Sequence, residues 1–179
     1  MQVNTAAQAT SKTALLLLFH IEENLYAIDT SNVIEIAPVV LLRKIEAASE
    51  YIAGVFNYHN TIVPVIDLCQ LIRGTSCKIS YSTRLIMVNY GANSCQGEHS
   101  PYQKRQLGLL AERVTETLKV PINTLKNAEN MSDSSVMGEL FIDGKGIIQK
   151  VNWEQLVADG LDPALFTERS GQVNGAGCN

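Results

Sequence analysis

The chain has 179 residues, 46% of them hydrophobic, and a net charge of −4 from 14 basic and 18 acidic side chains. That apolar share excludes wholesale disorder, and the length suits one core or two small subdomains sharing one. The mild acidity excludes a nucleic-acid face, for which Lys104-Arg105 is the nearest thing to a basic cluster.

Along the chain, Met1 to Thr13 is polar and small-residue-rich and reads as a disordered tail (1–13); 169–179 is its counterpart at the other end. The longest apolar run, Ala14 to Phe19, has six residues, where a membrane span takes about 20. No small-residue cleavage site follows it, so a buried first strand fits better than a signal peptide. The expected setting is therefore cytoplasmic, without direct membrane insertion. The four cysteines, Cys69, Cys77, Cys95 and Cys178, form no CxxC pair and are expected to be reduced.

Leu15–Ile21 and Leu25–Ile28 flank Glu22-Glu23-Asn24 as a hairpin. Asp29-Thr30-Ser31-Asn32 supplies N-cap residues for a helical turn over Val33–Ile36, closed by Pro38. A second helical turn, Glu46–Ala53, stops at Gly54. Val55–Tyr58 and Thr61–Ile66 form a hairpin around His59-Asn60, whose turn needs positive φ, which Asn tolerates. Pro64 cannot donate to a ladder and marks an edge or bulged strand. Asp67 caps a helix over Leu68–Arg73, with Gln70 at the capping-box position and Gly74 as its stop. After a polar connector, Thr75–Thr83, come strands Arg84–Tyr90 and Gln106–Ala111 joined by a long loop, and a second polar loop spans Asn127–Ser135.

The halves echo each other. Ala27-Ile28, Val33 and Glu35 match Gly108-Leu109, Val114 and Glu116, 81 positions on. Gly54, His59-Asn60 and Val63 match Gly138, Asp143-Gly144 and Ile147 at 84, and Asp67–Ile72 matches Asn152–Val157 at 85. Strand, capped turn, hairpin and capped helix thus occur twice, which predicts a mainly β fold of two small barrels, one per half, with interiors filled by side chains.

Chemistry finds little purchase. His20, His59 and His99 lack metal-ligand spacing, so no metal is expected, and no phosphate-binding glycine loop or other cofactor site is present. The best nucleophile, Cys69, has His59 and Asp67 near it in sequence, yet the intervening strand holds His59 about 20 Å from Asp67. A thiol-dependent hydrolase at Cys69 is the weakest reading, and no catalytic residue is assigned. Glu35 and Glu116 read as solvated residues on short helical turns, Glu116 within reach of Arg113.

Leu17–Ile21, Tyr26–Asp29, Val33–Ile36, Tyr51–Asn57, Val63–Leu68, Thr83–Val88 and Gly108–Glu116 together resemble the CheW-like coupling proteins of bacterial chemosensory arrays, over residues 14–165. The resemblance implies a CheW-like fold of two five-stranded SH3-like β-barrel subdomains with short helices, here with a boundary near 75–83. It also implies a non-enzymatic adaptor between the cytoplasmic tips of methyl-accepting chemoreceptors and the regulatory domain of a CheA-type histidine kinase, recruited to membrane-associated arrays. Partner-binding positions carried over are Val33, Glu35, Gly54, His59 and Asn60, with Gly108, Val114 and Thr115 in the second half. The family usually has Arg-Gly where this chain has His59-Asn60. Asn can take the backbone role of Gly, but His cannot replace a permanently charged, five-donor Arg. That departure motivates the alternative of a protein that binds only one of the two partners and competes for it. The wording Phe56-Asn57-Tyr58, with Gly108–Glu112 and Thr115–Leu118, is most similar to couplers of Wsp-type surface-sensing systems, which control a diguanylate cyclase.

Overall fold

A computed structural model describes residues 12–46, 48–90, 105–126 and 135–158. These form strands β1 (Thr13–Ile21), β2 (Asn24–Asp29), β3 (Val33–Pro38), β4 (Ile52–Tyr58) and β5 (Thr61–Asp67), then helix α1 (Leu68–Arg73). There follow β6 (Arg84–Tyr90), β7 (Arg105–Ala111), β8 (Glu116–Pro121), α2 (Ile122–Lys126), β9 (Met137–Asp143), β10 (Gly146–Val151) and α3 (Trp153–Ala158). No helix among the described residues is long and apolar enough to cross a membrane. The tail expected over 1–13 lies outside them except for Lys12 and Thr13, the latter already in β1, and residues 91–104, 127–134 and 159–179 lie outside entirely.

The mainly β expectation holds: two five-stranded sheets run β8-β1-β2-β10-β9 and β3-β6-β7-β5-β4. Advancing each strand number of the first sheet by five, and counting on from β10 to β1, gives the order of the second. The parallel pairs correspond too, β2 with β10 and β7 with β5, and all other neighbours are antiparallel. This is the sequence echo written as topology. It also corrects one expectation, because the halves do not each close a barrel of their own. β3 crosses to pair with β6 and β8 crosses to pair with β1, so each sheet draws strands from both sides of the 75–83 connector.

Strand β1 shows how one segment serves both sheets. Leu16 and Leu18 join Ala27, Val120, Phe141 and Ile148 inside the first sheet. Leu17, Phe19 and Ile21 face the other way, into a larger cluster with Val63, Val65, Leu85, Met87, Leu107, Leu109 and Trp153. Alternation along a strand sends neighbours to opposite faces, and here both faces are apolar because both are buried. The run Leu15–Phe19 needs no membrane to explain it.

Several local expectations change. Val33–Pro38 is strand β3 and Glu116 opens strand β8, not helical turns. Their β-branched residues find a ladder in β6 or β1, which outweighs the local capping signal from 29–32. Among the described residues of 46–53 no helix forms; Gly54 lies inside β4 at a bulge rather than ending a helix. Pro64 is not on an edge strand, since β5 lies between β4 and β7, but the parallel ladder to β7 begins only at Val65, one residue later. In the second hairpin Asp143 pairs with Gly146, so the turn is Gly144-Lys145, one residue beyond the expected Asp143-Gly144.

Candidate functional site

The hairpin β4–β5 and its surroundings form the candidate site. Its tip is as the sequence requires: Tyr58 pairs with Thr61, and His59 and Asn60 take φ of 49° and 64°. The Asn60 N–H is held by Asn57 Oδ1 at 2.9 Å, and the His59 ring packs edge-on to Tyr58 with centroids 4.4 Å apart. Both tip residues are exposed. Behind them, Gly54 has φ +145°, and a Cβ there would stand 2.6 Å from the Arg43 carbonyl oxygen. Only glycine allows that approach. It lets Arg43 and Val55 exchange backbone hydrogen bonds, 2.8 Å each way, which straps the 39–43 segment to β4.

Strands β3 and β4 are the two ends of their sheet, with no ladder joining them. The seam is a groove of about 530 Å³ with Leu85 and Met87 among its lining residues, walled by Glu35 and Ala37 on one side and Val55, Phe56 and Tyr58 on the other. At one point the seam is bridged: the Tyr58 hydroxyl donates to Glu35 Oε2 at 2.7 Å. Donating this bond requires the protonated phenol, so its pKa rises above the ordinary 10.0, with desolvation and the carboxylate charge adding to the effect. Glu35 is therefore a strand residue with a defined partner.

Glu116 behaves alike. It binds Lys145 Nζ at 2.6 Å rather than Arg113, tying the start of β8 to the tip of the β9–β10 hairpin.

The eight carried-over positions fall into three places. Glu35, Gly54, His59 and Asn60 surround the seam, with half-buried Val33 at the start of β3. Gly108 is buried mid-strand in β7, where a Cβ would stand 2.8 Å from Leu85 Cδ1 and 3.0 Å from Val65 Cγ2; it can act on a partner only through packing. Val114 and exposed Thr115 link β7 to β8, with N–H groups donating to Ser82 O at 3.0 Å and Leu18 O at 3.3 Å. Sequence reasoning missed the apolar residues exposed around the seam: Ile34, Ile36, Leu41 at 95% exposure and Ile62 at 71%. Period-two alternation groups Ile34 with Ile36 opposite Glu35 and so reads them as a buried face, which is why their exposure was missed.

At the other end of β5, Asp67 is a complete cap. Its Oδ1 accepts from Cys69 N at 2.9 Å and Gln70 N at 3.0 Å, and its Oδ2 accepts from Cys77 N at 2.9 Å. Gly74, with φ 71°, closes α1 by donating to Gln70 O at 2.8 Å. The reciprocal half of the capping box is absent: the Asp67 N–H goes to Tyr51 O, and the Gln70 side chain accepts from Ser76 Oγ. Contrary to the expectation of reduced thiols, Cys69 and Cys77 are joined as a disulfide, Cα atoms 5.1 Å apart. In that form Cys69 has no thiolate to attack with. The Asp67, Cys69 and Cys77 ligand atoms lie within 4.8 Å of one another, but the disulfide and the engaged carboxylate leave a metal no free donor set. Cys95, Cys178 and His99 lie outside the described residues.

Comparison with known proteins agrees with this architecture. The chemotaxis protein CheW of Treponema pallidum (strain Nichols) is 42% identical over 53 residues, 30% of this chain and 31% of that protein. The aligned segment thus spans about a third of that relative's length. The crystal structure of the scaffolding protein TtCheW from Thermoanaerobacter tengcongensis superposes with a TM-score of 0.66 over 84% of this chain and 92% of that one, at 21% identity, a likeness of fold. The model of the CheW-like domain matches residues 15–160, which takes in both sheets, the seam and α1, and the chain belongs to the CheW-like domain family.

Proposed function

We propose that this protein is a non-enzymatic adaptor that couples the cytoplasmic tips of methyl-accepting chemoreceptors to the regulatory domain of a CheA-type histidine kinase. It works in the cytoplasm, recruited to membrane-associated receptor arrays. The observation that carries the reading is the edge built by β3, the 39–43 strap and the β4–β5 hairpin. There Glu35 and exposed Leu41 line an open sheet seam, while β3 exposes Ile34 and Ile36 and β5 exposes Ile62. Apolar anchors rimmed by polar groups are what a protein interface needs. Of the carried-over positions, Glu35, His59, Asn60 and Thr115 contact partners directly, whereas Gly54 and Gly108 hold the backbone that presents them. Control of a diguanylate cyclase is the output we infer from the Wsp-like wording around Phe56-Asn57-Tyr58.

The test is reconstitution with receptor cytoplasmic fragments displayed on vesicles and a CheA-type histidine kinase from the same organism. Adaptor function is expected to bring the kinase into the receptor pellet and raise its autophosphorylation. A folded protein that binds neither component would end the reading. A second reading, binding to one partner in competition with a true coupler, is favoured by His59 at the tip where a permanent cation is usual. Replacing His59→Arg and Asn60→Gly together would then strengthen binding to the missing partner; unchanged binding would remove it.

A further inference from the structure

The connector between the halves, residues 75–83, is an arch held mainly by side chains. The Cys77 N–H donates to Asp67 Oδ2 at 2.9 Å and the Lys78 N–H to Glu112 Oε1 at 2.5 Å. Thr83 Oγ1 donates to Lys78 O at 2.8 Å, and Ser82 O receives the Val114 N–H at 3.0 Å. The covalent member of the set is the Cys69–Cys77 disulfide. Between these anchors the arch presents Ile79 at 64% exposure and Tyr81 fully exposed, beside Val114 and Thr115. An aromatic and an aliphatic side chain held out on a segment without a sheet partner depend on the anchors for their position.

We propose that Cys69–Cys77 is a reversible thiol–disulfide exchange site that locks the 75–83 arch when oxidised and releases it when reduced by a cellular dithiol. This rests on the cytoplasmic setting of the adaptor reading in one respect: in such a compartment a protein disulfide is ordinarily transient and redox-sensing. Cys77 is the sulfur to be attacked. It is 8% exposed between exposed Ser76 and Lys78, whereas Cys69 is fully buried. A reductant thiolate bonds to Cys77 Sγ, the S–S bond breaks, and Cys69 leaves as a thiolate and takes up a proton. The second thiol of the reductant then displaces Cys77 as a thiolate, which is protonated in turn. Two electrons and two protons pass from the dithiol, which ends as a cyclic disulfide. The remaining anchors are single hydrogen bonds, so the released arch opens locally without loss of the sheets.

Limited trypsin digestion of the full chain tests this, reading cleavage after Lys78 in the arch against cleavage after Lys44 outside it. The protein is equilibrated with dithiothreitol or with its cyclic disulfide, alkylated, and mapped by peptide mass. Cys69 and Cys77 are expected to be blocked together in the oxidised sample. Cleavage after Lys78 is expected to be roughly tenfold faster on reduction, with cleavage after Lys44 unchanged. Cys77→Ser is expected to behave as the reduced protein in both buffers; if it fails to fold, the wild-type comparison decides alone. Free alkylation of both cysteines in the oxidised sample, equal cleavage after Lys78 in the two states, or a parallel rise after Lys44 would each overturn the proposal. None of these readouts involves receptor or kinase, so failure of the latch is distinguishable from failure of the adaptor reading.

Discussion

The hairpins β4–β5 and β9–β10 occupy equivalent places in the two sheets, and they are held by different means. In the first, a glycine at φ +145° meets a backbone carbonyl, a two-residue turn takes left-handed backbone at both positions, and a carboxylate at the strand end captures three N–H groups. In the second, Gly138 meets the Asn152 side chain and Asn152 begins α3 with its carbonyl accepting from Gln155 N. Each hairpin is tied to a crossing strand through a glutamate, Glu35 to a tyrosine and Glu116 to a lysine. A duplicated scaffold thus keeps its topology while one copy fixes its hairpin by rigid backbone contacts and the other by adaptable side chains. The rigid copy is the one flanked by the open seam, as a docking surface that must hold its shape requires.

Substitutions of the paired glycines should separate the copies most sharply. Gly54→Ala forces a Cβ against the Arg43 carbonyl in a conformation L residues rarely adopt, and should cost about 2–4 kcal/mol in urea unfolding. Gly138→Ala meets only movable amide atoms of Asn152, so about 1 kcal/mol is expected. Equal losses would mean that the copies are fixed alike. Next come the caps. Asp67→Ala strands buried N–H groups of Cys69 and Cys77 and should cost about 2–3 kcal/mol, against about 1 kcal/mol or less for Asn152→Ala.

The glutamate ties are the smallest effects. Lys145→Ala removes an exposed ion pair and should change stability by about 0.2–1 kcal/mol, and less in high salt. For Glu35 the readout is titration. Because the folded state raises the Tyr58 pKa above 10.0, the Tyr58–Glu35 contact stabilises fully below that value and is lost as pH rises through the folded pKa. Ultraviolet absorbance should show Tyr58 titrating late alongside Tyr26, whose pKa burial also raises, and Glu35→Gln should lower only the Tyr58 pKa toward 10.0. A late titration left unchanged by Glu35→Gln would break the bridge across the seam.

Where a feature is set by local chemistry, the sequence shows it plainly. Asp67 with Gly74 six residues past the start of a short apolar run fixes α1, and His59-Asn60 between β-rich runs fixes a two-residue turn. The repeat was legible because the same local devices recur at nearly constant spacing. Non-local choices were not legible. Val33–Ile36 follows a run of good caps, and only the presence of β6 beside it makes it a strand. The crossing of β3 and β8 between sheets leaves no local trace, so one barrel per half was the natural but incorrect inference. The pairing of Cys69 with Cys77 depends on Asp67 drawing the connector back over α1. Likewise the seam exists only because β3 and β4 end the sheet without meeting, so its exposed isoleucines and Leu41 were invisible to motif reasoning.

Backbone amide shifts of the isotopically labelled full chain, titrated with the kinase regulatory domain and then with a receptor cytoplasmic fragment, test the docking edge most directly. One of the two partners should move the amides of Glu35, Ile36 and Tyr58 to Ile62, and the other should move a separate set while the first remains bound. Binding of both partners with those amides unmoved would contradict the assignment of the β3 and β4–β5 edge as the docking surface.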